Sequence, residues 1–463
     1  MKSNRCEVAA TSLDEAGAGV GHTADGTIVH AQDLLPGESA EVVVEHASPH
    51  RAEAWGRVFR PLGAPSPDRI APACPAFGRC GGCVWQHFAP TAQLTAKRER
   101  VVAALAEIPA VASGAVTVAP VRPSPQLLGY RNKGKYVAGA DLAGRLVLGA
   151  YAPRTHEVVD TLGCRVVAPL VDEVATWLRG AAESAELAPY DERNRTGDLR
   201  YAIVREAGGD VLVALVVAPR TPAAKLQRVA TALANHPAVR GVVALENDRR
   251  DGAIVPTGAR PKVLHGHATL VEEYAGVPVE VGAGEFVQIN RAQAIAMYAR
   301  IAELAEATRG TRAVDLFAGL GGIGLHLARA GADVVSVELD RDAVGHLRRA
   351  AERASLRLTA IAGDAGDLRG QLTGAFDVAV VNPPRKGLSE GARALLVELV
   401  PATILYVSCG PESLGRDLAA LAKAGYAPDA IEPFDLMPGT AQIETLVRLR
   451  RRGTAVRART GRR

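Results

Sequence analysis

Between Phe376 and Pro411 the chain carries two short apolar runs, Phe376-Asp-Val-Ala-Val-Val381 and Thr403-Ile-Leu-Tyr-Val407, each delivering a chemically capable segment. The first opens onto Asn382-Pro383-Pro384-Arg385-Lys386-Gly387, the second onto Ser408-Cys409-Gly410-Pro411. Runs this short and this apolar suit parallel strands covered on both faces, and an open α/β sheet binds its ligands beyond the carboxyl ends of such strands. A thiol placed there is a candidate nucleophile. Taken by itself, Cys409 reads better as a buried structural cysteine, because cysteine packs as a small hydrophobe.

Upstream, Ala313-Val-Asp315-Leu-Phe317 reads as a strand followed by Ala318-Gly319-Leu-Gly321-Gly322-Ile-Gly324 and a helical pattern. The glycines permit close backbone approach to a ligand at a helix start. Gly319-x-Gly321-x-x-Gly324 has the form of a dinucleotide fingerprint, a weak signal when alone. A second strand ends in Glu338, an acid able to accept from two ribose hydroxyls, which NAD and S-adenosylmethionine both possess. Asp364 follows a third strand, where it can accept from an adenine amine.

At 463 residues the chain has room for several domains. Residues 1–61 alternate in short runs between Gly and Pro turns, the pattern of a small OB-like β-barrel. Residues 62–92 are a linker and a cysteine loop, and 93–281 are expected to form a central α+β domain. That domain opens with a helix near 93–107 and contains a hairpin turning at Gly208-Gly209. Residues 282–449 make a Rossmann-like α/β domain, and 450–463 a basic tail without apolar periodicity. The net charge of +4 hides an asymmetry, because residues 448–463 hold eight arginines and no acid. Such a tail attracts nucleic acid, or is simply solvated. No apolar run approaches the roughly 18 residues of a membrane span, and the charged start lacks a signal-peptide core, so a soluble, cytoplasmic protein is expected.

Three of the six cysteines, Cys74, Cys80 and Cys83, fall within ten residues. In a reducing compartment that spacing favours a metal over disulfides. A fourth ligand is needed, and Cys164 is the only other cysteine in the middle of the chain. Thiolate sets of this kind take an iron–sulfur cluster or zinc. Cys6 is left over as a free thiol. Arg131 and Lys133 beside Tyr130 suit a phosphate with a stacked base, or equally a solvated strand edge.

Several marks occur together and in order: Cys74-x5-Cys80-Gly-Gly-Cys83, Phe286-Val-Gln288-Ile-Asn290, Asp315-Leu-Phe317, Asn382-Pro-Pro-Arg-Lys-Gly, Ser408-Cys409 and Thr440-Ala-Gln-Ile-Glu444. Over nearly its whole length the chain thereby resembles the RNA 5-methyluridine methyltransferases. The resemblance implies S-adenosylmethionine-dependent methylation of uridine carbon 5, with Cys409 as nucleophile and Glu444 as base. It implies cofactor contacts from Gln288, Phe317, Gly322, Glu338, Asp364 and Asn382, and RNA contacts from Arg131, Lys133 and Arg385. It makes the barrel a TRAM domain and implies a 4Fe-4S cluster on Cys74, Cys80, Cys83 and Cys164, with zinc as the alternative. The chain departs from the family in having Asn382 for Asp, Gln442 for His and Gly410 for Asn. Relatives with both TRAM domain and cluster point to 23S ribosomal RNA, with the transfer RNA T-loop as alternative, and to a monomer.

Two rival enzymes share single features. Asn-Pro-Pro also marks amino-methyltransferases, but those usually stack their target on an aromatic where this chain has Arg385. Radical methylthiotransferases space their cysteines C-x3-C-x2-C and leave one iron open, whereas this chain has C-x5-C-x2-C and a fourth cysteine. A non-enzymatic RNA-binding protein leaves the cofactor-type loop without a purpose.

Overall fold

The computed structural model describes residues 4–256 and 258–453. Strands β1 (Arg5–Leu13), β2 (Gly19–His22), β3 (Ile28–Gln32), β4 (Ser39–Ala47) and β5 (Glu53–Leu62) close into a barrel in the order β1-β2-β3-β5-β4. Alternation fills it: Val8 and Ala10, Val29 and Ala31, Ala40 and Val42 point inward, two apart on their strands as the pleat requires.

Helix α1 (Pro90–Ala104) starts on a proline whose fixed φ suits a first helical turn, and the short α2 (Pro109–Ala112) follows. Sequence assigned this stretch to the central domain. Instead, Val101 and Leu105 join the core of the C-terminal sheet with Leu414 and Leu418. A helix declares its apolar face in sequence but not which sheet that face will cover.

The central sheet runs β12-β11-β10-β9-β6-β7-β8. Its strands are β6 (Lys133–Ala140), β7 (Leu146–Tyr151), β8 (Val158–Asp160), β9 (Leu199–Ala207), β10 (Asp210–Val217), β11 (Val239–Glu246) and β12 (Lys262–Gly266). Gly208 and Gly209 turn β9 into β10 with φ of 60° and 88°, a pair of positive values that tight hairpins demand. Helices α3 (Pro169–Ser184) and α4 (Ala223–Leu233) cover one face. The other face meets the hairpin β13 (Thr269–Tyr274) and β14 (Val277–Gly282) and helix α5 (Arg291–Leu304) in a core continuous with the last domain.

That domain has strands β15 (Arg312–Leu316), β16 (Asp333–Glu338), β17 (Leu358–Ala362), β18 (Val378–Val381), β19 (Thr403–Ser408), β20 (Tyr426–Phe434) and β21 (Glu444–Arg451). They lie in the order β17-β16-β15-β18-β19-β21-β20, and β21 runs antiparallel to both its neighbours. Helices α6 (Gly322–Arg329) and α7 (Arg341–Arg353) pack on one face, α8 (Glu390–Leu399) and α9 (Pro411–Lys423) on the other. Arg450 and Arg451, expected in the basic tail, complete β21, where Arg450 pairs with Thr403 and Ala427. The rest of that tail, residues 454–463, lies outside the described residues. Among the described residues no helix is long and apolar enough to cross a membrane.

Candidate active site

The strand order reverses between β15 and β18, and the crevice at such a switch point is where open sheets take ligands. Beyond β15, Phe317 holds φ at 63°, a left-handed conformation that costs a non-glycine residue roughly 1–3 kcal/mol. Its neighbour's amide anchors the bend, Ala318 N donating to Val337 O at 3.0 Å. The glycines then divide by purpose. A Cβ on Gly319 would meet nothing, so open space faces the loop there. One on Gly322 would strike the Tyr298 ring at 2.6 Å, and one on Gly324 the Ser336 hydroxyl at 2.5 Å, so these two serve helix packing.

Two carboxylates are oriented at adjacent strand ends. Glu338 accepts from Gly319 N at 2.8 Å and from Asp340 N at 2.9 Å, and Asp364 accepts from Gly366 N at 2.7 Å. Beneath the loop Asp315 is buried and accepts from Gly324 N at 3.0 Å. Burial pushes its pKa up to about 7, and its Oδ1 and the Ser336 hydroxyl have no partner. Gln288 is buried in the segment between β14 and α5, and Asn382 is half-buried where β18 ends. Sequence reasoning passed over Phe286 as a separate feature, although it is 69% exposed two residues before Gln288. A large aromatic between a strand and a helix was the available signal.

One crevice brings Cys409, Glu444 and Arg385 together. Cys409 leaves β19, and Glu444 opens β21 beside it, the register being fixed by Ser408 pairing with Thr445. Burial pushes the Cys409 thiol above its ordinary value and the Glu444 carboxylate adds to this, while the Arg385 guanidinium opposes both. Glu444 is 5% exposed, burial pushes its pKa up to about 8 against Arg385, and its Oε2 has no partner. Arg385 Nη2 donates to Gln442 Oε1 at 2.8 Å. Expected as an RNA contact, Arg385 therefore stands beside the thiol as its cation.

The segment that delivers Glu444 is held from three directions. Lys97 of α1, fully buried, bonds Asp435 at 2.7 Å and Met437 O at 3.1 Å. Trp85 N donates to Gly439 O at 2.9 Å, and Tyr130 OH donates to Pro438 O at 3.0 Å.

Cys74, Cys80, Cys83 and Cys164 line one cavity of about 120 Å³. Burial pushes the Cys80 and Cys83 thiols up, and Arg131 opposes it. Three donors on the same wall, Gln86 Nε2, Arg131 Nε and Tyr136 OH, are buried without partners. Among the described residues no group of three or more His, Cys, Asp or Glu side chains is arranged to hold a metal ion. Arg131 and Lys133, expected to meet RNA, line this cavity, and Lys133 is 8% exposed. Burial pushes its pKa down to about 6, and its Nζ donates to Glu285 O at 3.3 Å. The alternative of a solvated strand edge is equally excluded for Lys133. A larger cavity of about 800 Å³ between the barrel and α1 contains none of the expected site residues, and Asp14, Glu15, Asp68, Glu99 and Glu412 on its wall disfavour RNA phosphate.

The parallel sheet with its glycine loop, carboxylates at two strand ends and reactive segments beyond two more defines a Rossmann-like methyltransferase domain. A family model described as "Methyltransferase small domain" matches residues 299–406. An uncharacterised RNA methyltransferase of Halalkalibacterium halodurans is 31% identical over 456 residues, which cover 96% of each chain. One from Geobacter sulfurreducens is 32% identical over 96% of this chain and 89% of its own. The chain belongs to this RNA methyltransferase family. In fold it is similar to the Pyrococcus abyssi tRNA (uracil-54, C5)-methyltransferase, solved with S-adenosyl-L-homocysteine. The TM-score is 0.74 at 23% identity, over 96% of this chain and 100% of that one.

Proposed function

We propose that this RNA methyltransferase transfers a methyl group from S-adenosylmethionine to carbon 5 of a uridine through a covalent adduct on Cys409. The observation that carries the reading is the grouping of one thiol, one guanidinium and one buried carboxylate at the ends of β18 and β19 and the start of β21. When bound, S-adenosylmethionine supplies an electrophilic methyl group on a sulfonium. Glu338 and Asp364 would accept from its ribose and adenine, and Gln288, Phe317, Asn382 and the backbone of Gly322 would border it.

Uridine carbon 5 is a weak nucleophile. The Cys409 thiolate adds to carbon 6, the ring's 5,6 double bond supplies electrons to the enolate, and carbon 5 becomes reactive. Arg385 stabilises the thiolate before attack. Once methylated, carbon 5 carries both the methyl group and its original proton. Glu444 removes that proton, the 5,6 double bond re-forms and the thiolate leaves. The electrostatics favour this order. The Glu444 carboxylate raises the Cys409 pKa, so forming the thioether removes the thiolate charge that the carboxylate opposes. Phe286 is exposed where it can stack on a base.

The four-cysteine cavity is proposed to hold a 4Fe-4S cluster, with zinc as the lesser alternative. Its donor set is all thiol, the Arg131 guanidinium lines its wall, and its unpartnered donors suit an anionic, acceptor-rich occupant. Bound there, it would cross-link the cysteine loop to Cys164 of the central domain. The barrel is proposed as a TRAM-like RNA-binding module, and the enzyme as a cytoplasmic monomer. The RNA is proposed to be 23S ribosomal RNA. A transfer RNA T-loop is the second reading, favoured by the fold likeness to a uracil-54 enzyme. Nucleoside mass spectrometry of both RNA pools from a deletion strain tests this: 5-methyluridine should vanish from one pool, and its retention in both sinks the reading.

A further inference from the structure

Asp417 of α9 is 3% exposed, and its carboxylate is engaged on both oxygens. Oδ2 accepts from Tyr406 OH at 2.6 Å and from Leu388 N at 2.8 Å, and Oδ1 accepts from Arg393 Nη1 at 2.9 Å. Arg393 Nη1 also donates to Leu388 O at 2.7 Å, so both backbone groups of Leu388 are gripped. Leu388 follows directly on Asn382-Pro-Pro-Arg385-Lys-Gly387, the segment that carries the guanidinium. Tyr406 is fully buried in β19, three residues before Cys409, and α9 begins two residues after it. One carboxylate therefore ties the far end of the Arg385 segment to both elements flanking the thiol.

The fit leaves no slack. Gly387 holds φ at 83°, and a Cβ there would lie 2.5 Å from Asp417 Oδ2. At the near end, Gly387 N donates to Pro384 O at 2.8 Å and Asn382 N to Leu316 O at 3.4 Å. Arg385 rides between two fixed ends. Its own side chain is exposed and bonds Gln442, so its distance from the thiol depends on where the backbone is pinned.

We propose that Asp417 and Tyr406 are positioning residues for the methyl-transfer reaction, holding Arg385 against Cys409 by locking the 382–388 segment to β19 and α9. The inference rests on the reading of Cys409 as a nucleophile stabilised by Arg385. A buried carboxylate serving only stability would have no reason to alter the chemistry of a thiol it does not touch. This one should, because Arg385 and Glu444 oppose each other at Cys409, and Asp417 fixes the segment that carries Arg385.

The test reads the thiol directly. Cys409 alkylation by iodoacetamide is followed against pH by peptide mass spectrometry in the full-length protein, alongside thermal melting and steady-state kinetics. Tyr406→Phe keeps the packing and removes the bond. It should raise the pH midpoint of alkylation by about one unit, a tenfold loss of thiolate at fixed pH, and lower kcat while leaving KM for S-adenosylmethionine within about twofold. Asp417→Asn should do the same more strongly. Gly387→Ala should reproduce the shift from the loop side by pushing the carboxylate away. Arg385→Gln provides the reference shift. If Tyr406→Phe and Gly387→Ala keep the wild-type profile while Arg385→Gln moves it, the positioning role is wrong and the nucleophile reading stands. A wild-type profile in all these variants overturns both.

Discussion

Cys409 and Cys83 are both thiols pushed up by burial, and each is opposed by an arginine, Arg385 in one case and Arg131 in the other. Their company differs. Cys409 stands as a lone thiol with a buried carboxylate, in a crevice whose cation is exposed and has a side-chain partner in Gln442. Cys83 shares its cavity with three more thiols, and the wall holds Arg131, Lys133 and Lys135 but no carboxylate. A single thiol beside a base can form a bond and release it. Four thiols beside unpartnered donors instead suit the anionic, acceptor-rich occupant proposed for that cavity. Burial alone distinguishes neither, so reactivity is set by the neighbours.

The largest effect should come from removing the lone thiol. Cys409→Ala is expected to cut methylation at least about a thousandfold and to abolish any covalent RNA adduct, since no other group supplies the addition to carbon 6. Retained activity would erase the contrast and favour amino-methyl transfer centred on Asn382. Next, Glu444→Gln should still attack and methylate but fail to release. On denaturing gels with S-adenosylmethionine and RNA it should accumulate a slow-migrating complex, absent from the Cys409→Ala double variant.

The other region should respond in a different currency. Cys83→Ser should lower bound iron and sulfide and the melting temperature of anaerobically purified protein. Zinc in stoichiometric amount without iron or sulfide would instead mark the cavity as a zinc site. The smallest effect is a pH slope. Glu444 and Asp315 have folded-state pKa values raised to about 8 and about 7, above the ordinary carboxylate range. The folded protein thus holds protons that the unfolded chain releases, so this stabilisation is complete below about pH 4 and is lost as pH rises toward 8. Glu444→Gln should flatten the upper part of that decline in denaturant titrations. An unchanged slope would mean that solvent reaches the carboxylate.

The reactive strand ends were legible because their signals are local. Apolar runs ending in Asn382 and Cys409, and an acid closing the run at Glu338, hardly depend on what packs around them. The cations were harder. Arg131, Lys133 and Arg385 look alike in sequence, yet the first two line a cavity built from residues 74–83 and 161–164, while the third meets Gln442 across the crevice. Which face a lysine in Lys133-Gly-Lys135 presents, and to what, is decided by a loop more than a hundred residues away, where Glu285 O accepts its hydrogen bond. Helix α1 failed for the same reason, its partner sheet being a tertiary choice. Without the family resemblance, Glu444 reads as a surface carboxylate ahead of the last strand, whereas the register of β21 with β19 places it in the interior.

That register has a consequence for how the enzyme comes into being. β21 lies between β19 and β20 although it follows both in the chain. A ribosome therefore delivers the nucleophile first, then an outer strand with nothing yet to pair against, and only afterwards the strand that fills the gap and brings Glu444. Until that insertion the nascent chain holds Cys409 and Arg385 without Glu444. Late threading of one strand thus sets the moment at which the C-terminal sheet becomes continuous.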